Sequence, residues 1–154
     1  MDETAGDIIF NSNGKCDYCT DFLSSYPSMT LQKNKINEII DKIEVDGAGK
    51  PYDCIVGVSG GVDSSYVLSL VVEHGLRPLA VHLDNGWNSD LAVSNINNLV
   101  TKLNVDLYTH VIDWKENKDL QRAFIAADVV DIELLMDNAM LALNYRMAKK
   151  YKLK

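Results

Sequence analysis

The sequence predicts an α/β protein built as a doubly wound parallel sheet with helices on its faces. Three observations predict it. From residue 53 onward, short β-rich apolar runs alternate with stretches of helical periodicity. The first run leads through a turn of small residues, "SGGVDSS", into a helix. The second leads into a polar loop, "DNGWNS". Both loops fall beyond the C-terminal ends of strands, where such sheets bind ligands.

The elements follow in chain order. Residues 1–28 read as irregular, with "NSNG" and "SSYPS" as turn signals. From Met29 to about Val45, Leu31, Ile36, Ile39, Ile40 and Ile43 recur at helical spacing, and "DGAGKP" ends that helix. "DCIVGV" is a short buried strand. A helix runs from Asp63 to about His74 and is closed by Gly75; "RPLAVHL" is the second strand. Ser89 or Asn88 caps a helix running to about Leu103, with Leu91, Ile96, Leu99, Val100 and Leu103 as its apolar set. "VDLYTHVI" is the third strand, and two helices follow at roughly 115–127 and 132–151. Right-handed crossovers join the parallel strands. The alternation calls for a further strand after "KYKLK", so the chain reads as the front part of a longer protein.

Composition narrows the class. The 154 residues suffice for one core of ordinary size, and 47% apolar with 24% charged residues fits a globular chain. No apolar run has the length of a membrane span, and "MDETAGDIIF" lacks the basic-then-apolar layout of a signal peptide. The expected location is the cytoplasm, with no membrane partner. A net charge of −7 argues against nucleic acid as a partner, because backbone phosphates demand basic surface. The cations of "RMAKKYKLK" read as a solvated helix end favoured by the dipole. Three cysteines, Cys16, Cys19 and Cys54, argue against a disulfide framework.

The first loop has the makings of a phosphate site. Gly60 and Gly61 permit positive φ and close backbone approach. The helix beginning near Asp63 points free N–H groups at the turn, and Ser59, Ser64 and Ser65 add hydroxyls. Two common nucleotide loops are excluded by spacing. Counting a Walker pattern from Gly57 puts Val62 where its second glycine belongs, with no lysine after it. Gly57, Gly60 and Gly61 do not give G-x-G-x-x-G either. Gly57-Val58-Ser59-Gly60-Gly61 does satisfy the G-x-S-x-G nucleophile elbow, so an α/β hydrolase with His74, His82 or His110 as base is a rival.

"SGGVDSS" resembles the S-G-G-x-D-S signature of the PP-loop ATP pyrophosphatases. The resemblance implies that the loop holds the β- and γ-phosphates of ATP, which leave together as pyrophosphate while AMP passes to a substrate oxygen. It implies ATP binding by Gly57, Val58, Ser59, Gly60, Gly61, Asp63, Ser64 and Ser65. Backbone around His82 and Leu83 would hold adenine, with Asp84 and Asn85 just beyond. Mg²⁺ would offset the pyrophosphate charge. Asp63 is the expected catalytic carboxylate, either linked to the metal or serving as the cap of the new helix.

The N-terminal "IIFNSNGKCDYC" carries Cys16 and Cys19 as C-x-x-C, half of a tetrahedral zinc set. Redox thiols and unliganded structural thiols are the alternatives; the redox reading is disfavoured because no strand-then-helix context is expected there. Cys54, within a strand, reads as a core residue. The order I-x-F, Gly14, C-x-x-C, long helix, "YDCIVGVSGGVDSSYV", "LAVHLDNGWNSDLAVSNI" resembles the N-acetyl sugar amidotransferases of bacterial surface polysaccharide synthesis. That resemblance implies an N-acetylated sugar substrate, an amidino product and a glutaminase partner supplying ammonia. Asp137-Asn138-Ala139 stands where the family has an Asp-His-Ala-like triplet. The implied organisation is a Cys-x-x-Cys segment and helix at 1–50 and an incomplete PP-loop domain at 51–154, inactive as an amidotransferase by itself. The alternatives are a tRNA-thiolating or other PP-loop enzyme and a noncatalytic ATP-binding module.

Overall fold

A computed structural model describes residues 4, 6–30 and 33–154. The chain divides into two compact units, Met1–Ile39 and Ile40–Lys154.

In the first unit Phe10 and Cys16 form an antiparallel bridge. Asn11 closes the turn between them: its Oδ1 accepts from the Asn13 and Lys15 N–H groups at 2.9 and 3.0 Å. Gly14 sits there at φ +73°. Helix α1, Asp17–Thr30, follows at once. Residues 1–28 are therefore not irregular throughout. Ser24, Ser25 and Pro27 read locally as turn signals, and Phe22 and Leu23 are about half exposed, so no buried stripe announced the helix. Helix α2, Lys33–Gly47, starts later than expected, since Met29 belongs to α1; Leu31 lies outside the described residues.

The second unit holds a three-stranded sheet in the order β1 (Cys54–Gly57), β2 (Pro78–Asp84), β3 (Asp106–Val111). All pairs are parallel, with Gly57 opposite Val81 and Val81 opposite Tyr108. Helices α3 (Val62–Glu73) and α4 (Asp90–Leu103) supply Leu68 and Ile96 to one core with Val56, Val58 and Ala80. Helix α6 (Leu134–Lys150) supplies Leu143 and Met147 to a second core with Leu79, Val81 and Leu83. β2 alternates its side chains between the two cores, so both faces of the sheet are covered and the winding is double. Each buried aliphatic side chain contributes about 1.5–3 kcal/mol by leaving water. Helix α5, Trp114–Ala126, lies between β3 and α6 in sequence.

Capping sets the helix starts. Ser89 Oγ accepts from the Ala92 N–H at 3.1 Å and begins α4, and Asp113 accepts from the Lys115 and Glu116 N–H groups to begin α5. The expected apolar set of α4 needs one correction. Leu91 is 70% exposed, and burial of that helix is concentrated at Ile96. At the N-terminal end of the sheet, Asp53 and Arg77 clasp β1 to β2. Asp53 Oδ1 meets Arg77 Nη2 at 2.7 Å, and Oδ2 accepts from Arg77 Nε at 3.1 Å and from its backbone N–H at 2.7 Å. A Cβ on Gly47 would lie 2.2 Å from Asp53 Oδ1, so the end of α2 must be glycine for this clasp to form.

Candidate functional site

The turn between β1 and α3 lies at the C-terminal end of β1, as expected. Helix α3 is entered through Gly61, in extended backbone, and the first intrahelical bond is Ser65 N–H to the Gly61 carbonyl at 3.2 Å. The N–H groups ahead of that bond have no partner inside the helix and face the turn. Gly60 adopts φ +80°, and a Cβ there would meet the backbone of Ala92 at 2.5 Å. The turn is thus pressed onto the first residues of α4. Asn95 reinforces this contact by donating from Nδ2 to the Gly60 carbonyl at 3.1 Å.

The serines form a local network. The Ser59 N–H donates to Ser64 Oγ at 3.2 Å, the two hydroxyls lie 3.2 Å apart, and Ser65 Oγ donates to the Gly61 carbonyl at 2.7 Å. Ser59, Gly60, Gly61, Ser64 and Ser65 are therefore gathered at one helix start, a ready geometry for an anion. Asp63 is placed differently from one expectation. The cap is Gly61, with no side-chain cap bond, so Asp63 lies inside the first turn and does not cap the helix. A carboxylate one position past the first helical residue cannot fold back to the Ncap geometry. It is exposed and has no hydrogen-bond or ion-pair partner among the described residues. Such a carboxylate, next to bound phosphates, is the ordinary donor set for Mg²⁺.

Val58 and Leu83 can offer only backbone to such a site, since both side chains are buried. Val58 is 1% exposed with its side chain in the core, and its N–H donates to the Val81 carbonyl at 2.8 Å. Leu83 is buried against Leu143 and Met147. A Cβ on Gly57 would lie 3.0 Å from Asn144 Nδ2, so α6 packs closely there.

Sequence reasoning missed the buried link between the two loops. His82, 7% exposed, places Nδ1 2.8 Å from the Val58 carbonyl. Asn88 Nδ2 approaches His82 Nε2 at 3.1 Å and Asp84 Oδ1 at 3.1 Å. Because an amide nitrogen only donates, Nε2 accepts and the proton sits on Nδ1, donated to Val58. The chain Val58–His82–Asn88–Asp84 thus ties the end of β1, where the β1–α3 turn begins, to the β2–α4 loop. The spacing His82-x-Asp84-x-x-x-Asn88 is legible in sequence, but only the pleat shows which way His82 points. The same network removes His82 as a base for Ser59. Ser59 Oγ bonds Ser64 and the Gly61 N–H, and among the described residues no histidine joins it. The nucleophile elbow has the sequence pattern without the couple.

The loop "DNGWNS" is stiffened by its own side chains. The Gly86 N–H donates to Asp84 Oδ1 at 2.9 Å and the Trp87 N–H to Asn85 Oδ1 at 3.0 Å. In the predicted triplet, Asp137 and Asn138 part company. Asn138 Nδ2 donates to the Leu134 carbonyl of its own helix at 2.8 Å, while Asp137 lines a cavity with Asn85 and Trp87.

The cysteine pair lies in the first unit. Cys16 ends an isolated bridge to Phe10 and α1 opens directly after it, so the pair does open a helix, but after a single bridge and not a strand; only the helix half of the sequence-based argument against a redox role changes. The Cys19 N–H donates to Cys16 Sγ at 3.3 Å and pulls the Cys16 thiol below its ordinary pKa, while the neighbouring Cys16 pushes the Cys19 thiol up. Among the described residues, no three His, Cys, Asp or Glu side chains stand together as a metal set. The pair by itself closes no zinc site among the described residues. Cys54 is a partly buried strand residue, and burial pushes its thiol up to about 11.

Among the described residues no helix is long and apolar enough to cross a membrane. No protein-family model matches the chain, and no curated protein matches it. Solved structures do. The glutamine-dependent NAD⁺ synthetase of Acinetobacter baumannii, in complex with ADP, aligns over 74% of this chain and 22% of its own length, at 20% identity and a TM-score of 0.61. The NH₃-dependent NAD synthetase of Campylobacter jejuni aligns over 76% of this chain and 52% of its own, at 18% identity and a TM-score of 0.54. The NMN synthetase of Francisella tularensis aligns over 76% and 51%, at 25% identity and a TM-score of 0.49. The chain spans at most about half of each of these proteins. With its parallel sheet wound on both faces, it has the PP-loop fold of the NAD synthetases.

Proposed function

We propose that this chain carries the ATP site of an AMP-forming amidotransferase acting on an N-acetylated sugar, with ammonia supplied by a glutaminase partner. One observation carries the reading: a serine- and glycine-lined turn at the start of α3, without a lysine, pressed against α4 beyond the end of β1. That turn suits a phosphate group held by N–H and hydroxyl donors and released whole. The Acinetobacter relative in fold holds an adenine nucleotide, and both NAD synthetases named above take nitrogen from glutamine or ammonia, which supports the same class of chemistry here.

The steps balance without an oxidant or reductant. The oxygen of the sugar's acetamide attacks the α-phosphorus of ATP; a P–O bond forms, the α–β bridge breaks and pyrophosphate leaves. Ammonia then adds its lone pair to the activated carbon and gives up a proton. The C–O bond to AMP breaks and an amidine remains. The backbone N–H groups ahead of Ser65, with Ser59 and Ser64, hold the departing phosphates, and Asp63 would hold Mg²⁺ beside them. That ion would offset the charge gathered on pyrophosphate. The Val58–His82–Asn88 link fixes the phosphate turn relative to the loop that follows β2. Zinc at Cys16 and Cys19 would need donors beyond the described residues, and no step passes through it.

The test is product analysis. With ATP, ammonia and an N-acetylated sugar, the natural full-length enzyme is expected to form AMP and pyrophosphate in equal amounts. Oxygen-18 in the acetamide oxygen is expected in AMP. ADP and phosphate as products would reject the mechanism. Unlabelled AMP would keep the pyrophosphatase and reject adenylation of the sugar. Sulfur incorporated into tRNA would favour the thiolase, and ATP bound without turnover the noncatalytic module.

A further inference from the structure

We propose that the cavity between the β2–α4 loop, α5 and the start of α6 is the acceptor subsite, and that it takes the neutral ring of an N-acetylated hexose against Trp87. The inference rests on the proposed function and names where its second substrate sits. The cavity measures about 490 Å³ and is lined in part by Asn85 and Trp87, directly beyond the strand end expected to hold adenine. That volume is ample for a monosaccharide and falls in the ordinary range of ligand sites.

Its chemistry is that of a polyhydroxylated ligand. Trp87 is 57% exposed yet firmly placed. Its ring meets Trp114 edge to face, with centroids 5.4 Å apart and planes at 85°. Trp114 is itself fixed as the first residue of a helix capped by Asp113. The loop below Trp87 is locked by the bonds from Gly86 to Asp84 and from Trp87 to Asn85. An indole held this way offers a flat apolar face at little entropic cost, which suits the C–H face of a pyranose. Around it stand the carboxylates of Glu133 and Asp137 and the amides of Asn85 and Gln121, the groups that accept from and donate to sugar hydroxyls.

Charge separates this ligand from its main competitor. None of the described residues lining the cavity is Lys or Arg, and two are acidic. A dinucleotide acceptor would bring a pyrophosphate that such a wall repels. A neutral acetamido sugar meets no such penalty.

The test uses a convenience of the sequence: Trp87 and Trp114 are the only two tryptophans. Tryptophan fluorescence therefore reports on Trp87, which lines this cavity, and on Trp114, which with Trp87 lines a smaller cavity beside it, so the variants below assign any change to the subsite. The 154-residue chain is titrated with the methyl glycosides of N-acetylglucosamine, N-acetylgalactosamine and N-acetylmannosamine, and separately with nicotinic acid adenine dinucleotide. Saturable change with at least one sugar and none with the dinucleotide is expected. By ligand-observed NMR, Trp87→Ala and Asp137→Asn should each weaken sugar binding about tenfold or more. Trp87→Tyr, which keeps a flat ring, should restore much of the loss, and circular dichroism checks that each variant is folded. Failure of all three sugars, binding undiminished by Trp87→Ala, or preference for the dinucleotide would overturn the subsite. ATP affinity, measured by calorimetry on the same samples, decides the other question. Sugar binding without ATP binding keeps the subsite and rejects the adenylating function; ATP binding without sugar binding does the reverse.

Discussion

Gly60 and Gly61 are adjacent, yet physics asks different things of them. Gly60 is demanded by the fold: φ +80° and an Ala92 backbone 2.5 Å from any Cβ. Gly60→Ala is expected to lower stability by roughly 1–3 kcal/mol, read by denaturant unfolding. The fold makes no such demand at Gly61, where a Cβ meets only Ser59 Oγ, at 3.4 Å; under the proposed function it is the phosphate that a side chain there would crowd. Gly61→Val should cost about 1 kcal/mol as a poorer Ncap residue and abolish ATP binding. Normal binding by calorimetry in that variant would misplace the phosphate site. The motif was legible because loop, turn and helix start are contiguous in sequence. The bond from His82 to Val58 was not, since it spans two strands and depends on which face of β2 each residue occupies. Of the two roles open to Asp63, metal-linked or cap, the cap falls away because the Ncap is Gly61, two residues earlier. If Cys16 and Cys19 bind zinc, metal analysis of the natural full-length protein should show about one zinc per chain, released by either Cys→Ser change. A protein with full stability and no metal would leave these as unliganded thiols.

Among elements, the strand and helix sequence of the second unit was legible within a residue or two, because apolar periodicity and capping side chains agree there. Ser89 was foreseen and Leu91 misjudged. A cap is a local event, whereas burial of a given turn depends on what lies across from it. Helix α1 was missed for the complementary reason, since its apolar side chains are not gathered into a buried stripe. The Asp53–Arg77 clasp belongs to this scale, joining the starts of β1 and β2. The Arg77 guanidinium holds the Asp53 carboxyl below its ordinary pKa, against the opposing pull of burial. Its contribution is therefore whole above about pH 4, the unfolded value, and is lost as pH falls through the lowered folded value. Asp53→Asn should destabilise by roughly 1–3 kcal/mol at neutral pH and flatten the acid limb of the stability profile. An unchanged acid limb would remove the clasp from the account.

At the scale of the whole sheet, the alternation of strand and helix was enough to foresee parallel pairing and two covered faces. Strand order was not, because nothing local says which edge a later strand joins. The observed order sets β2 in the centre, paired on both sides and buried along nearly its whole length. This placement has a consequence in time. Deuterium entering the molecule should reach β3 first, where three of six residues are exposed, and β1 next. The amides of 79–83 should hold their protons until the second unit opens as a whole. Both proposed ligand loops hang from the ends of these strands, the phosphate turn from β1 and the tryptophan loop from β2. Fraying of β3 would thus leave the two loops tied through His82, and the slow amides would report the lifetime of the paired loops. Mass spectrometry of peptides spanning β1, β2 and β3 after timed exchange measures that order. If β2 exchanged as fast as β3, the centre of the fold would lie elsewhere.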